Sequence, residues 1–187
     1  WFDLLEETIR KYNIQPEDTY STDEVGVQSC GTECECIFSA RCQGMQYQQR
    51  GGTHENTTVL VTICTDGTSL PPLVIYKGSA FQVKWAQNNP LNASLGYQKK
   101  GWTDGEIGAE WIKIFDKQTE KKSLGKYRLL LIYGHNSHYT IEFLLHACLN
   151  MIIVLCYPAH RIHVYQGLDV VIYSVLKRFL AKAQDTL

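Results

Sequence analysis

Three stretches of the 187-residue chain set polar side chains inside or just after strand-like runs. Asp23-Glu24 lies within the β-favouring segment Thr19–Gln28. Tyr133-Gly134-His135-Asn136-Ser137-His138 follows the apolar run Arg128–Ile132. Pro158 to Asp169 follows Ile152–Cys156 and leads into the last helical segment. Sites in open α/β sheets are built at the carboxyl ends of strands, so these are the places where chemistry is expected. The acids Asp23, Glu24 and Asp169 offer hard oxygen donors of the kind divalent cations take. His135 with His138, and His160 with His163, form two His-x-x-His pairs, a spacing that can present zinc ligands. Cys30, Cys34, Cys36 and Cys42 are separated by three, one and five residues, which fits no common zinc pattern and reads as free thiols in a variable loop. Lys117, Lys121, Lys122, Lys126 and Arg128 make one basic run; Lys177, Arg178 and Lys182 make another. Such runs are solvated faces or, alternatively, tracks for a DNA backbone.

The elements that must position these groups follow from pattern. Trp1, Leu5, Ile9 and Tyr12 recur at helical spacing, so a short amphipathic helix opens the chain and ends before Pro16. Residues 29–55 show no period and are rich in Cys, Gln and Gly. Thr57–Cys64 is rich in β-branched residues; Asp66-Gly67 is a hairpin turn signal, and Leu70–Tyr76 runs back. Pro71 and Pro72 place that returning strand, or its start, at a sheet edge. Residues 78–102 are irregular. Thr103-Asp104-Gly105-Glu106 reads as a capping box opening a helix with Ile107, Trp111, Ile114 and Phe115 on one face. Arg128–Ile132 and Ile152–Cys156 read as buried strands, separated by a helix capped by Thr140. The last helix sets Leu168, Val171, Ile172, Val175, Leu176 and Phe179 on one stripe. The order (α)βββαβαβα predicts an α/β fold in which a hairpin-built half precedes parallel strands flanked by helices. It matches a ribonuclease-H-like mixed sheet over residues 19–187, preceded by a helix and linker over 1–18.

Composition excludes several classes. Apolar residues are 44% and charged residues 20%, a globular balance that excludes a disordered chain. Eighteen basic against 19 acidic residues leave a net charge of −1, so any nucleic-acid contact needs a local patch. The longest apolar run, Met151–Tyr157, is strand length and far short of the roughly 18 residues of a membrane span. The acidic start Trp1-Phe2-Asp3-Leu4-Leu5-Glu6-Glu7 is not a signal peptide, and without an initiator Met the chain reads as a piece of a longer one. Seven cysteines, with Cys64, Cys148 and Cys156 in no paired spacing, point to a reducing compartment. Asn56-Thr57-Thr58 and Asn92-Ala93-Ser94 match a glycosylation pattern short enough to arise by chance.

Five pieces stand in one order: Thr22-Asp23-Glu24-Val25-Gly26; Thr62-Ile63-Cys64-Thr65-Asp66-Gly67-Thr68 with Leu70-Pro71-Pro72-Leu73-Val74; Lys100-Gly101-Trp102-Thr103; Gly134-His135-Asn136-Ser137-His138; and Gln166-Gly167-Leu168-Asp169-Val170. Together they resemble the catalytic core of pogo/Tigger-type transposases of the mariner superfamily, whose DDE endonuclease domain also survives in centromere protein B. The resemblance runs from about Trp1 to about Lys182. It implies a ribonuclease-H-like core in which three carboxylates hold two Mg²⁺ (or Mn²⁺) ions for in-line phosphoryl displacement on DNA. The first acid maps to Asp23 and the third to Asp169. The histidines His135, His138, His160 and His163 then become scaffolding around the acids. DNA binding is implied through an upstream helix-turn-helix region, with a homodimer possible, a nuclear location and no membrane association.

The chain departs from that pattern at the second acid, where the family has Asp-Gly-His and this sequence has Tyr133-Gly134-His135. The frame is kept, with 35 residues between Tyr133 and Asp169. A phenol, which ordinarily titrates near about pH 10, does not replace a carboxylate that balances two cations. Glu24 alternates to the opposite strand face from Asp23. Gly167 stands where the family has Pro, loosening the entry to the last helix. The implied reading is a transposase-derived domain, nucleic-acid associated and catalytically impaired. Two other classes stay open: an active Mg-dependent phosphoryl-transfer enzyme using Asp23, Glu24, Asp169 and a histidine, or a protein-interaction module using the 29–55 loop.

Overall fold

Thr19, Tyr20, Thr22, Val25 and Val27 are strand-favouring types, and Thr19–Gln28 forms the central strand β1. The computed structural model of the chain describes residues 1–28, 56–133, 140–158 and 167–184. β2 (Asn56–Cys64) pairs antiparallel with β1, from Tyr20 opposite Cys64 to Gln28 opposite Asn56. The Asp66 carboxylate then accepts the Thr68 N–H at 2.9 Å, and Gly67 turns the chain at φ +89°, a conformation that costs glycine little. β3 (Leu73–Lys77) returns antiparallel to β2, and β4 (Ser94–Gln98) lies parallel to β3. On the other side of β1 lie β5 (Arg128–Ile132) and β6 (Ile152–Cys156), parallel to it in turn. The sheet order is β4-β3-β2-β1-β5-β6.

The sheet corrects two expectations. β4 falls inside the supposedly irregular stretch 78–102; its Gly96 and mixed polar residues carry no strand pattern, and pairing with β3 is what makes it a strand. β3 is an interior strand rather than an edge. It starts at Leu73, after both prolines, so their missing N–H groups fall outside the ladder, while the Pro72 carbonyl accepts the Ser94 N–H at 2.8 Å.

Among the described residues, four helices flank the sheet. α1 (Phe2–Tyr12) ends at Asn13 in the left-handed region, with the Ile14 N–H reaching the Ile9 carbonyl at 3.0 Å. α2 (Gly105–Ser123) is capped by Asp104, whose carboxylate accepts the Ile107 N–H at 3.0 Å. The cap is therefore one residue later than the expected Thr103, which puts Glu106 out of register for a capping box. Upstream, Gly101 holds φ +74°, and a Cβ there would lie 2.6 Å from the Asn56 carbonyl oxygen, which accounts for a glycine in Lys100-Gly101-Trp102-Thr103. α3 (Ile141–Leu149) is capped by the Thr140 hydroxyl, which accepts from the Phe143 N–H. A π-turn over Leu168–Ile172 leads into α4 (Tyr173–Gln184).

One sheet face carries the main core, in which Tyr20, Leu60, Ile75, Leu130 and Ile132 meet Trp111, Ile112 and Phe115 of α2 and Phe143 of α3. The other face holds a smaller cluster of Val25, Leu168 and Tyr173, with Val59, Val61, Ile63 and Leu176 packed around it. The last helix buries only part of the stripe its sequence suggests, Leu168 and Leu176, and adds Tyr173. Leu168 and Tyr173, five residues apart, face inward, while Val171 is 61% exposed and Phe179 63%. The π-turn inserts its extra residue between them and rotates the 3.6-residue pattern away from the sheet.

Candidate functional site

Alternation along β1 sends Ser21, Asp23 and Val25 to one face and Tyr20, Thr22 and Glu24 to the other. Val25 packs on Leu168 and Tyr173, so Asp23 lies on the face covered by the last helix, and Glu24 on the α2 face. Pairing between β1 and β5 runs from Thr19 opposite Leu129 to Ser21 opposite Leu131. The pairing ends there, and Asp23 and Tyr133 each stand two residues beyond it in the carboxyl direction of neighbouring strands. β5 and β6 pair up to Ile132 opposite Cys156, and the Tyr157 N–H donates to the Ile132 carbonyl at 2.9 Å, which sets Tyr157 level with Tyr133. Asp169 directly follows the fully buried Leu168, so the backbone at position 169 sits over the face that carries Asp23. Its side chain, with His135, His138, His160, His163, Cys30, Cys34, Cys36 and Cys42, lies outside the described residues. Gly167 adopts φ −59°, ψ −26°, a helical conformation that a proline would share, so the departure there leaves the local backbone path unchanged.

Three residues at this end of the sheet escaped the sequence reading. The Tyr157 hydroxyl and Ser21 Oγ are 2.9 Å apart. The Trp1 indole stacks on the Tyr157 ring with centroids 5.4 Å apart, and its N–H donates to the Cys156 carbonyl at 2.7 Å. Burial pushes the Tyr157 phenol above its ordinary value, the Ser21 hydrogen bond opposes that, and the negative charge of Asp23 adds to it. The available signal was positional: Tyr157 follows β6 as Tyr133 follows β5, and Ser21 precedes Asp23 by one alternation.

The first basic run sits at the opposite edge, where the parallel strands begin, and two of its members, Arg128 and Lys122, are committed to internal pairs. Arg128 is 3% exposed. Its guanidinium donates to Asp116 Oδ1 and Thr119 Oγ1, both at 2.8 Å, and to the Asn150 carbonyl at 2.6 Å. Asp116 also meets His146 Nε2 at 3.1 Å. The charge therefore ties β5 to α2 and α3 and is unavailable to a phosphate. Lys122 pairs with Asp66, approaches Cys64 Sγ at 3.4 Å and lies over the Tyr20 ring. That pairing holds the Asp66 carboxyl well below the usual carboxylate range. Lys121 and Lys126 are exposed at this same edge, and Lys177 and Arg178 are exposed on α4.

Comparison with known proteins places this arrangement. Residues 53–185 match the family described as DDE superfamily endonuclease. A Cochliobolus lunatus protein named MFS-type transporter clz9 is 32% identical over 180 residues, 95% of this chain and 20% of its own length. Among the described residues no helix is long and apolar enough to cross a membrane. The human pogo transposable element with ZNF domain is 32% identical over 126 residues, 66% of this chain and 8% of its own. The chain thus spans a fifth or less of these curated relatives. The Mos1 transposase paired-end complex with left transposon end superposes with a TM-score of 0.64 at 10% identity, over 95% of this chain and 46% of the other. The Mos1 paired-end complex with Mn gives 0.64 at 10% identity, with the same coverage. These likenesses show the ribonuclease-H-like fold expected from the element order. The chain belongs to the DDE superfamily endonucleases.

Proposed function

We propose that this domain is transposase-derived, retains the frame of a metal-dependent DNA endonuclease, and is impaired at the metal centre. The supporting observation is that Asp23 and Tyr133 each stand two residues beyond the last β1–β5 pair, Ser21 opposite Leu131. In the family's frame those positions, with Asp169, are the three acids. A divalent pair needs anionic oxygens to offset its charge, and Mg²⁺ accepts little besides hard oxygen donors and water. Among the described residues, the carboxylate on this face at the strand ends is Asp23, with the phenol positions Tyr133 and Tyr157 beside it at the ends of β5 and β6. Glu24 faces α2 and cannot join Asp23. Among the described residues, no three His, Cys, Asp or Glu side chains gather to hold a metal ion. The residues present do not fit the metal pair, and no cleavage step is assigned to them.

The remaining role is nucleic-acid association. The Mos1 complexes are assemblies on transposon-end DNA, which supports DNA as the partner here. Lys121 and Lys126, exposed at the starting edge, and Lys177 and Arg178, exposed on α4, are the backbone-contact candidates that the fold leaves available. Residues 19–187 form the DDE domain in this reading and residues 1–18 its entering helix and linker, with upstream helix-turn-helix modules reading sequence, in a nuclear protein that can pair as a homodimer. Nicking of supercoiled plasmid in Mg²⁺ or Mn²⁺ tests it. The expected result is no cleavage above the metal-free control; robust metal-dependent nicking by the native protein contradicts the proposal.

A further inference from the structure

Restoring an acid at position 133 is the direct route back to a working centre, and a second side chain stands in the way. Tyr157 starts on β6, level with Tyr133, yet its hydroxyl reaches Ser21 on β1 at 2.9 Å. β5 lies between those strands. Spanning two gaps of about 4.8 Å each takes the full length of the phenol, so the ring must lie over β5. It slants back from the level of Tyr133 to that of Leu131, which pairs with Ser21. This is the face of Asp23, immediately beside the second acid position.

The ring is also pinned. Trp1 stacks on it at an interplanar angle of 30°, the Trp1 N–H is anchored to the Cys156 carbonyl, and Tyr157 as a whole is only 8% exposed. An aromatic ring in that place supplies no charge and excludes the waters a hard cation keeps. We infer that Tyr157, held between Ser21 and Trp1, is a second obstruction to the metal pair, independent of Tyr133. The inference rests on reading positions 23, 133 and 169 as the acid frame. Tyr133→Asp alone then leaves the new carboxylate against an apolar ring.

Calorimetric titration with Mn²⁺ of the native protein, Tyr133→Asp, Tyr133→Asp/Tyr157→Leu and Tyr133→Asp/Tyr157→Phe separates the contributions, with circular dichroism confirming the fold of each. Tyr133→Asp/Tyr157→Leu is expected to bind Mn²⁺ at least about tenfold more tightly than Tyr133→Asp. The Phe variant keeps the ring and is expected to stay with the single variant. Should the Leu variant unfold, Tyr133→Asp/Tyr157→Met removes the ring while keeping a long apolar side chain and is expected to bind more tightly than Tyr133→Asp. Equal affinity of the single and ring-relieved variants, whether tight or absent, overturns the inference. Tight Mn²⁺ binding by the native protein overturns instead the impaired centre on which it rests.

Discussion

The two ends of the parallel strands β1, β5 and β6 carry charge in opposite ways. At the starting edge several charges are answered: Arg128 by Asp116, Thr119 and a carbonyl, Asp116 also by His146, and Lys122 by Asp66. These bonds join β5 to α2 and α3 and brace the hairpin turn. At the carboxyl edge, on the face covered by the last helix, Asp23 lies beside two tyrosine positions, one of which stacks on an indole. Residue type alone does not separate a structural ion from a functional one. The strand end on which it sits, and how fully it is already bonded, does.

Breaking the starting edge should cost folding. Arg128→Met removes the guanidinium from a nearly buried pair and strands Asp116 with His146 alone, so a loss of about 3 kcal/mol is expected in urea denaturation. A change within experimental error would return Arg128 to the list of DNA contacts. A smaller effect is expected at the turn. Lys122 holds the Asp66 carboxyl below the ordinary range, so the stabilisation is complete above the usual carboxylate value of about pH 4. It is lost as pH falls through the lowered value in the folded state. Asp66→Asn should therefore lower the melting temperature slightly at neutral pH and converge with the native protein in strong acid. A gap that persists unchanged into acid would show that the loss lies in the Thr68 turn and not in the ion pair.

Much of the fold was legible because its strands are marked by residue type. Thr19–Gln28, Arg128–Ile132 and Ile152–Cys156 coincide with the expected runs, since buried parallel strands leave continuous apolar stretches and the central strand is rich in β-branched residues. β4 was not legible, because Ser94–Gln98 owes its conformation to pairing with β3. The inward stripe of the last helix was misread in part because a π-turn leaves no signature in hydrophobic spacing. At the site, the positions of Asp23 and Tyr133 came from motif spacing, whereas Tyr157 required strand register and Ser21 required a hydrogen bond spanning 136 residues of sequence. Arg128 looked like part of a basic patch because burial is invisible in a run of like charges.

The central claim is that the acid frame no longer holds divalent metal. Titration of Mn²⁺ into the native protein, with the free ion followed by electron paramagnetic resonance, reads that most directly. The account predicts a free-ion signal that rises in step with the buffer control, with no stoichiometric binding. Depletion of the free signal by one or two equivalents per chain, reversed by excess Mg²⁺, would contradict it.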